Sequence, residues 1–282
     1  FTTVTNNSIT TKAAFSPAFE IYTTNFNTTL EKNFINSTSD SSIWFTDSIT
    51  QFPGYPQTLY ANNIIDNGFA QLESDTAGQL VSVYLKDQKI ANYSLLYAGI
   101  RMKVENSTNG LIDFRSAVNG TGVNLFGNST SDIVIGNNSV YVNPSVAGMG
   151  LNKSANITLY GIGDRGFSNI GVLRNGVSCG TICYNFTSLT ATNVIFNVSS
   201  WSTYSIGNAP LLRNVSLSSG WNFFAVEANS SVAGNKTVEL VAGWNLVGYS
   251  SDTSIGHTAV TYKDSASSFY QLSSAAQNSK LQ

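Results

Sequence analysis

ANITLYGI (155–162) puts Ile157, Leu159 and Gly161 on one side of an extended chain and Asn156 and Thr158 on the other. NVIFNVSS (193–200) repeats the pattern, with Val194, Phe196 and Val198 turned one way and Asn197 the other. A period of two across β-branched and aromatic residues is the mark of a half-buried strand. In both stretches the outward asparagine opens an Asn-x-Ser/Thr sequence, so an acceptor for N-linked sugar falls on the predicted wet side.

Comparable runs recur about every 8 to 12 residues. They include QLVSVYL (79–85), AGIRMKV (98–104), GLIDFRS (110–116), SDIVIG (131–136), SVYVN (139–143) and STYSIG (202–207), with Gly, Asn and Ser between them. This spacing predicts an all-β chain of two or three antiparallel β-sandwich modules of the Ig-like kind. A helical stripe exists only in the last residues, where Phe269, Leu272, Ala276 and Ser279 line up, and a short C-terminal helix over 267–282 is the expectation there. A length of 282 residues suits two or three domains. Boundaries are expected at 1–105, an N-terminal β domain with the aromatic-rich SIWFTDSITQFPGYPQTLY (42–60), at 106–208, a β-sandwich, and at 209–282 after the Asn208-Ala209-Pro210 linker.

Only 11% of the residues are charged, where about 25% is usual. Uncharged polar residues take their place, with 32 Asn, 38 Ser and 27 Thr. Acceptor sequences begin at Asn6, Asn27, Asn36, Asn92, Asn106, Asn119, Asn128, Asn137, Asn152, Asn156, Asn185, Asn197, Asn214, Asn229 and Asn235. Random placement of the same residues would give about seven such sites. The excess predicts covalent N-glycans, which supply the hydration that missing Lys and Glu do not, and hence export. The first residues lack the basic-then-apolar pattern of a leader, and no run reaches the length of a membrane span. The expectation is a mature product whose leader and any anchor lie outside this sequence. A net charge of −2 without a basic stripe speaks against nucleic acid.

Cys179 and Cys183, in VSCGTICYN, are the only cysteines. Outside the cell a close, even pair most simply forms one local disulfide; free thiols and a metal site are the alternatives, and no further soft ligand stands nearby.

LSSGWNFFAVE (217–227) is echoed by LVAGWNLVGYS (240–250), which aligns Val215 with Val238, Leu217 with Leu240, Gly220 with Gly243, Trp221 with Trp244 and Asn222 with Asn245. Each copy is predicted as a hairpin turning at Gly-Trp-Asn, the two stacking so that Trp221 and Trp244 enter a shared core. A sugar-stacking role for both Trp is the competing reading.

The Gly-Trp-Asn-Leu phrase, together with VYVNPSVAGMGLNKSANITLYGI (140–162), VLRNGVSCGTICYN (172–185) and NVIFNVSSWSTYSI (193–206), resembles modules of archaeal secreted cell-surface proteins. In such modules Leu-Asn-Lys-Ser-Ala opens a strand, a short Cys pair follows, and Phe-Asn-Val leads to a Ser-x-Tyr end. Trp201 stands here where that pattern has Phe. The likeness covers roughly residues 110–254 and implies location and architecture rather than an activity.

Chemistry-bearing patterns are sparse. The single His257 has no nucleophile-elbow Gly-x-Ser-x-Gly to serve. Glu73 and Asp75 are the closest carboxylates and read as a solvated turn; Asp164 reads as a turn salt-bridged to Arg165; no Asp-x-Asp-x-Asp run suggests calcium. Lys103 and Lys153 carry no mark of an isopeptide link. No enzyme, metal or other cofactor is expected. The expectation is a structural subunit of an extracellular filament or surface layer that binds copies of itself, and further surface glycoproteins or glycans. FTTVTNNSITTKAAF (1–15) is the candidate donor strand, with Val4, Asn6, Ser8 and Thr10 alternating against Thr3, Thr5, Asn7 and Ile9. The alternative is an adhesin using Trp44, Phe45, Phe52, Tyr55 and Tyr60 as a sugar platform.

Overall fold

The computed structural model describes residues 2–12, 16–21, 28–45, 57–74, 81–146, 150–209, 222–227, 245–250, 260–263 and 269–272. They form two compact units, Phe1–Leu211 and Leu212–Gln282. The regular structure of the described residues is strand, as the period-two runs require, apart from one 3-10 turn, Gly180–Ile182.

The first unit opens as a parallel coil. One turn comprises β1 (Thr2–Thr5), β2 (Ser8–Thr11) and β3 (Phe19–Ile21), and a second comprises β4 (Thr28–Glu31), β5 (Phe34–Ser37) and β6 (Ile43–Phe45). A third comprises β7 (Gln57–Tyr60), β8 (Asn63–Ile64) and β9 (Leu72–Ser74); β10 (Val81–Lys86) and the long β11 (Tyr93–Asn106) complete the stack. β1, β4, β7, β10 and β11 pair in parallel, as do β2, β5 and β8, and as do β3, β6, β9 and the start of β11. The antiparallel arrangement expected for residues 1–105 is therefore replaced by three parallel faces. The segment proposed as a donor strand is already paired within its own chain, as the first rung.

A corner recurring in every turn explains the parallel stacking. Asn6, Lys32, Ala61 and Asp87 all have left-handed backbone, at φ 57°, 51°, 50° and 47°. Each is followed by an amide side chain: Asn7, Asn33, Asn62 and Gln88. The Asn7 N–H donates to Asn33 Oδ1 (3.0 Å), the Asn33 N–H to Asn62 Oδ1 (3.0 Å), and the Asn62 N–H to Gln88 Oε1 (2.9 Å). In return, Asn33 Nδ2 donates to the Val4 carbonyl (2.8 Å) and Asn62 Nδ2 to the Leu30 carbonyl (2.7 Å). Corner backbone groups that would otherwise be stranded inside the coil are thus satisfied by the next turn's amide.

After the coil, the sheet continues antiparallel. β12 (Gly110–Phe114) pairs with β11, while β13 (Val118–Gly122) folds back on the first part of β11. β14 (Ile133–Gly136) and β15 (Ser139–Val142) form a hairpin, and β16 (Ala155–Leu159) pairs with β12. β17 (Ile170–Arg174), β18 (Val177–Ser178) and β19 (Cys183–Asn185) precede β20 (Val194–Val198) and β21 (Thr203–Asn208). The main sheet runs in the order β1-β4-β7-β10-β11-β12-β16-β20-β19, and a second, antiparallel sheet runs β14-β15-β21-β17-β18.

One row of side chains, Val4, Leu30, Leu59, Leu85, Val104, Ile112, Ile157 and Phe196, crosses the main sheet in register. All but the half-buried Val4 are sealed from solvent. Phe196 meets Tyr204 of the second sheet with ring centroids 6.3 Å apart, so the two sheets share a core. Trp201 is buried between Phe114 and Tyr204, its indole N–H donating to the Lys153 carbonyl (2.6 Å).

In the second unit, β22 (Asn222–Glu227) pairs in parallel with β23 (Asn245–Ser250), Asn222 opposite Asn245 and Phe223 opposite Leu246. The repeat therefore stacks copy on copy rather than as two hairpins. Trp221 and Trp244 lie outside the described residues. β24 (Val260–Lys263) pairs antiparallel with β25 (Phe269–Leu272), so the start of the expected C-terminal helix is a strand. Pairing with a neighbour outweighs a weak helical stripe with few contacts of its own. The rest of that segment lies outside the described residues.

Replacing Asn62 with Ala strands the Asn33 N–H and the Leu30 carbonyl in the coil, at a cost of about 3 kcal/mol. Chemical denaturation should show this loss, whereas the neighbouring exposed Asn63→Ala should change little.

Candidate functional site

The residues on which sequence reasoning rests most are the sequon asparagines. Eleven lie in the described part: Asn6, Asn36, Asn92, Asn106, Asn119, Asn128, Asn137, Asn152, Asn156, Asn185 and Asn197. None of the eleven is buried; Asn6, Asn119, Asn128, Asn137 and Asn185 are exposed. Strand alternation produces this directly. Asn156 stands between buried Ala155 and Ile157, Asn197 between buried Phe196 and Val198, and Asn36 between buried Ile35 and Ser37. Asn27, Asn214, Asn229 and Asn235 lie outside the described residues.

Several of these side chains are already occupied. Asn152 Oδ1 accepts the Trp201 N–H (2.9 Å), Asn92 Nδ2 donates to Asp66 (2.6 Å), and Asn137 Oδ1 accepts from Arg165 (3.2 Å). Asn156 and Asn197 sit directly opposite each other on β16 and β20; Asn197 Nδ2 donates to Asn156 Oδ1 and to the Ala155 carbonyl, each at 3.0 Å.

Cys179 and Cys183 are joined, with Cα atoms 5.7 Å apart, and clamp the 3-10 turn that leads into β19. Around this clamp lie the exposed apolar side chains of Val177 (59% exposed), Ile182 (45%), Tyr184 (67%) and Phe186 (53%). Tyr184 and Phe186 pack edge to face, with centroids 5.2 Å apart. β19 is the last strand of the main sheet, and neither it nor β1 at the other end carries a charged residue.

The described members of the aromatic platform divide between core and surface. Phe45 is buried in the core, Trp44 is half-buried on the next position of β6, and Tyr60 sits on the outer face of β7. The ammonium groups of Lys32 and Lys86 each lie 5.5 Å from the Tyr60 ring centre, which occupies the ring's faces. Phe52 and Tyr55 lie outside the described residues.

The polar candidates are placed differently from expectation. Glu73 belongs to β9 and accepts the Ser41 hydroxyl, so it is no solvated turn; Asp75 lies outside the described residues. Asp164 accepts the Gly166 N–H (2.9 Å), while Arg165 bonds to the carbonyls of Gly161 and Ile162 instead of pairing with it. Lys103 lies 4.9 Å over the Tyr84 ring, and Lys153 contributes its carbonyl to Trp201. His257 lies outside the described residues. No group of three or more His, Cys, Asp or Glu occurs among the described residues, and no described helix is long and apolar enough to cross a membrane.

Two clusters had no sequence signal. Tyr93, buried, donates its hydroxyl to Asp132 (2.8 Å), which also accepts from Asn143 Nδ2 (2.8 Å); burial, then the Asp132 contact, pushes the Tyr93 hydroxyl far above its usual range. Glu105 accepts hydroxyls from both Tyr84 and Tyr160, the latter at 3.3 Å. Burial raises the Glu105 carboxyl, against the lowering effect of the Tyr160 bond, and burial with the Glu105 charge raises Tyr160. These contacts tie neighbouring segments of the first unit together.

No protein family, curated protein or solved structure matches this chain.

Glu105 holds its proton more tightly in the folded state, so the stability it contributes is present in acid and lost as pH rises through the raised value. The melting temperature of Glu105→Gln relative to the unaltered chain should therefore rise as pH climbs from the ordinary carboxylate range through the raised value. Because cross-strand Cβ atoms stand only about 5 Å apart, sugars on Asn156 and Asn197 exclude one another. Glycopeptide mass spectrometry on glycosylated protein should find one or the other on a single molecule, never both.

Proposed function

We propose that this chain is a structural subunit of an extracellular glycoprotein assembly, a filament or surface layer, that polymerises through contacts between its β-modules. One observation carries the proposal: no described sequon asparagine is buried, and at Asn36, Asn119, Asn156 and Asn197 the residues on either side along the strand are buried. A chain with few charges is kept wet by sugar at those positions, which requires export through a glycosylating compartment. The two-sheet part, residues 106–208, is read as a β-sandwich module of Ig-like type, standing beside the N-terminal coil of 1–105 and the Gly-Trp-Asn module of 209–282.

Self-association is supported by the two ends of the main sheet. β1 and β19 each have one hydrogen-bonded strand neighbour among the described residues. Edge strands that avoid pairing usually carry Lys, Pro or a bulge. Thr2–Thr5 and Cys183–Asn185 carry none, and β19 sits beside an exposed apolar cluster. Main-chain pairing between copies at such edges gives an end-to-end array, the geometry of a filament or a lattice row.

Electron microscopy of the purified, glycosylated chain should show repeating polymers, and intact mass should fall on deglycosylation. Thr3→Lys or Tyr184→Lys should leave the circular dichroism unchanged and disperse the polymers. A sugar-free chain that stays monomeric at all concentrations overturns the proposal.

A further inference from the structure

Where the coil gives way to the two-sheet part, a groove of about 310 Å³ opens between the corner Asp87–Lys89 and the loop that carries Asn128. Its floor includes Phe126, Ile133 and Ile135, all nearly sealed from solvent. Its rim is polar. The Lys89 ammonium has no hydrogen-bond or ion-pair partner among the described residues. Asp87 uses one carboxylate oxygen to accept the Ser107 N–H (2.8 Å) and keeps the other. The walls are held by a reciprocal pair of backbone bonds, Ile90 N–H to the Phe126 carbonyl (2.9 Å) and Phe126 N–H to the Ile90 carbonyl (3.2 Å).

Asn128 and Ser129 form part of this rim, and they and Thr130 are all exposed. Their turn is fixed from within: Asn128 Oδ1 accepts both the Thr130 N–H and the Thr130 hydroxyl, each at 2.9 Å. One Nδ2 hydrogen reaches Asn124 Oδ1 at 3.3 Å, which leaves the other for substitution. The sequon therefore presents its amide nitrogen at the mouth of a groove with an apolar floor and a polar rim. That combination suits a sugar ring, whose C–H face lies on Phe126 while its hydroxyls reach Lys89 and Asp87.

We infer that the glycan carried by Asn128 folds back and seats its first sugar in this groove, so that it acts as a covalently tethered ligand of the fold as well as a surface coat. The inference rests on the glycoprotein reading above. Attachment forms a bond from Nδ2 to the anomeric carbon of a phosphate-activated sugar; the carbon–oxygen bond to that phosphate breaks, the phosphate leaves, and the amide proton passes to solvent.

The test is hydrogen exchange on the glycosylated chain, with occupancy of each sequon read by glycopeptide mass spectrometry. Thr130→Val removes the acceptor sequence but keeps Asn128 and its bond from the residue 130 amide. The Ile90 and Phe126 amides should exchange at least about fivefold faster in Thr130→Val than in the unaltered chain. Lys89→Ala, which leaves the sequon intact, should give part of the same increase. Asn119→Gln, which deletes an exposed sequon outside the groove, should give none, and neither should Thr130→Val in protein made without glycosylation. Sugar on other sequons but not on Asn128 overturns this inference alone, as does an occupied Asn128 whose loss leaves both amides unchanged. Absence of sugar from every sequon overturns the glycoprotein reading with it.

Discussion

Four amide side chains, Asn7, Asn33, Asn62 and Gln88, run up the corner of the coil, and the N-terminal part of the fold depends on them. A parallel stack of short strands must turn a corner in every rung, and each corner turns backbone groups inward that no strand can pair. Here Asn33, Asn62 and Gln88 each accept the N–H of the amide residue one rung before, and each also returns a donor to a carbonyl there. Inside a low-dielectric stack such bonds are strong when complete and costly when broken. The left-handed residue preceding each amide sets the corner geometry, which is why Asn6, Lys32, Ala61 and Asp87 differ in chemistry but agree in φ.

From that corner the row of buried side chains is fixed by register alone. Leu30, Leu59, Leu85 and Val104 stack because their rungs are aligned, and the same row passes without a break into Ile112, Ile157 and Phe196, where pairing has become antiparallel. The change of direction costs little, since β11 presents one edge to parallel β10 and the other to antiparallel β12. The outer face keeps the alternate residues, and this is where sequon asparagines such as Asn156 and Asn197 stand.

Strands with local alternation were legible in the sequence: 155–159 and 194–198 form with the faces their residues dictate, and the exposed side of each carries its asparagine. The coil was not legible. Its ladder residues are 26, 29 and 26 positions apart, so the spacing is irregular. The repeating feature is a backbone angle followed by an amide, written with different letters in each turn. Gly-Trp-Asn was visible as a repeat, but its letters could not tell stacking copies from adjacent hairpins. Phe269 and Leu272 are three apart and so suit a helix, yet a partner strand decides their state. The Tyr84–Glu105–Tyr160 cluster joins residues 21 and 55 positions apart and leaves no local pattern to read.

The fourteen residues of β11 carry a mechanical consequence. This strand pairs with coil strands and with strands of the later part along its length, β9 and β13 at its start and β10 and β12 at its end, with no linker between. A pull applied along it must shear the main-chain bonds to β10 and β12 together rather than peel them one at a time. The two halves of the first unit therefore share load as a single stiff element, and a hinge between them would have to break the strand that joins them.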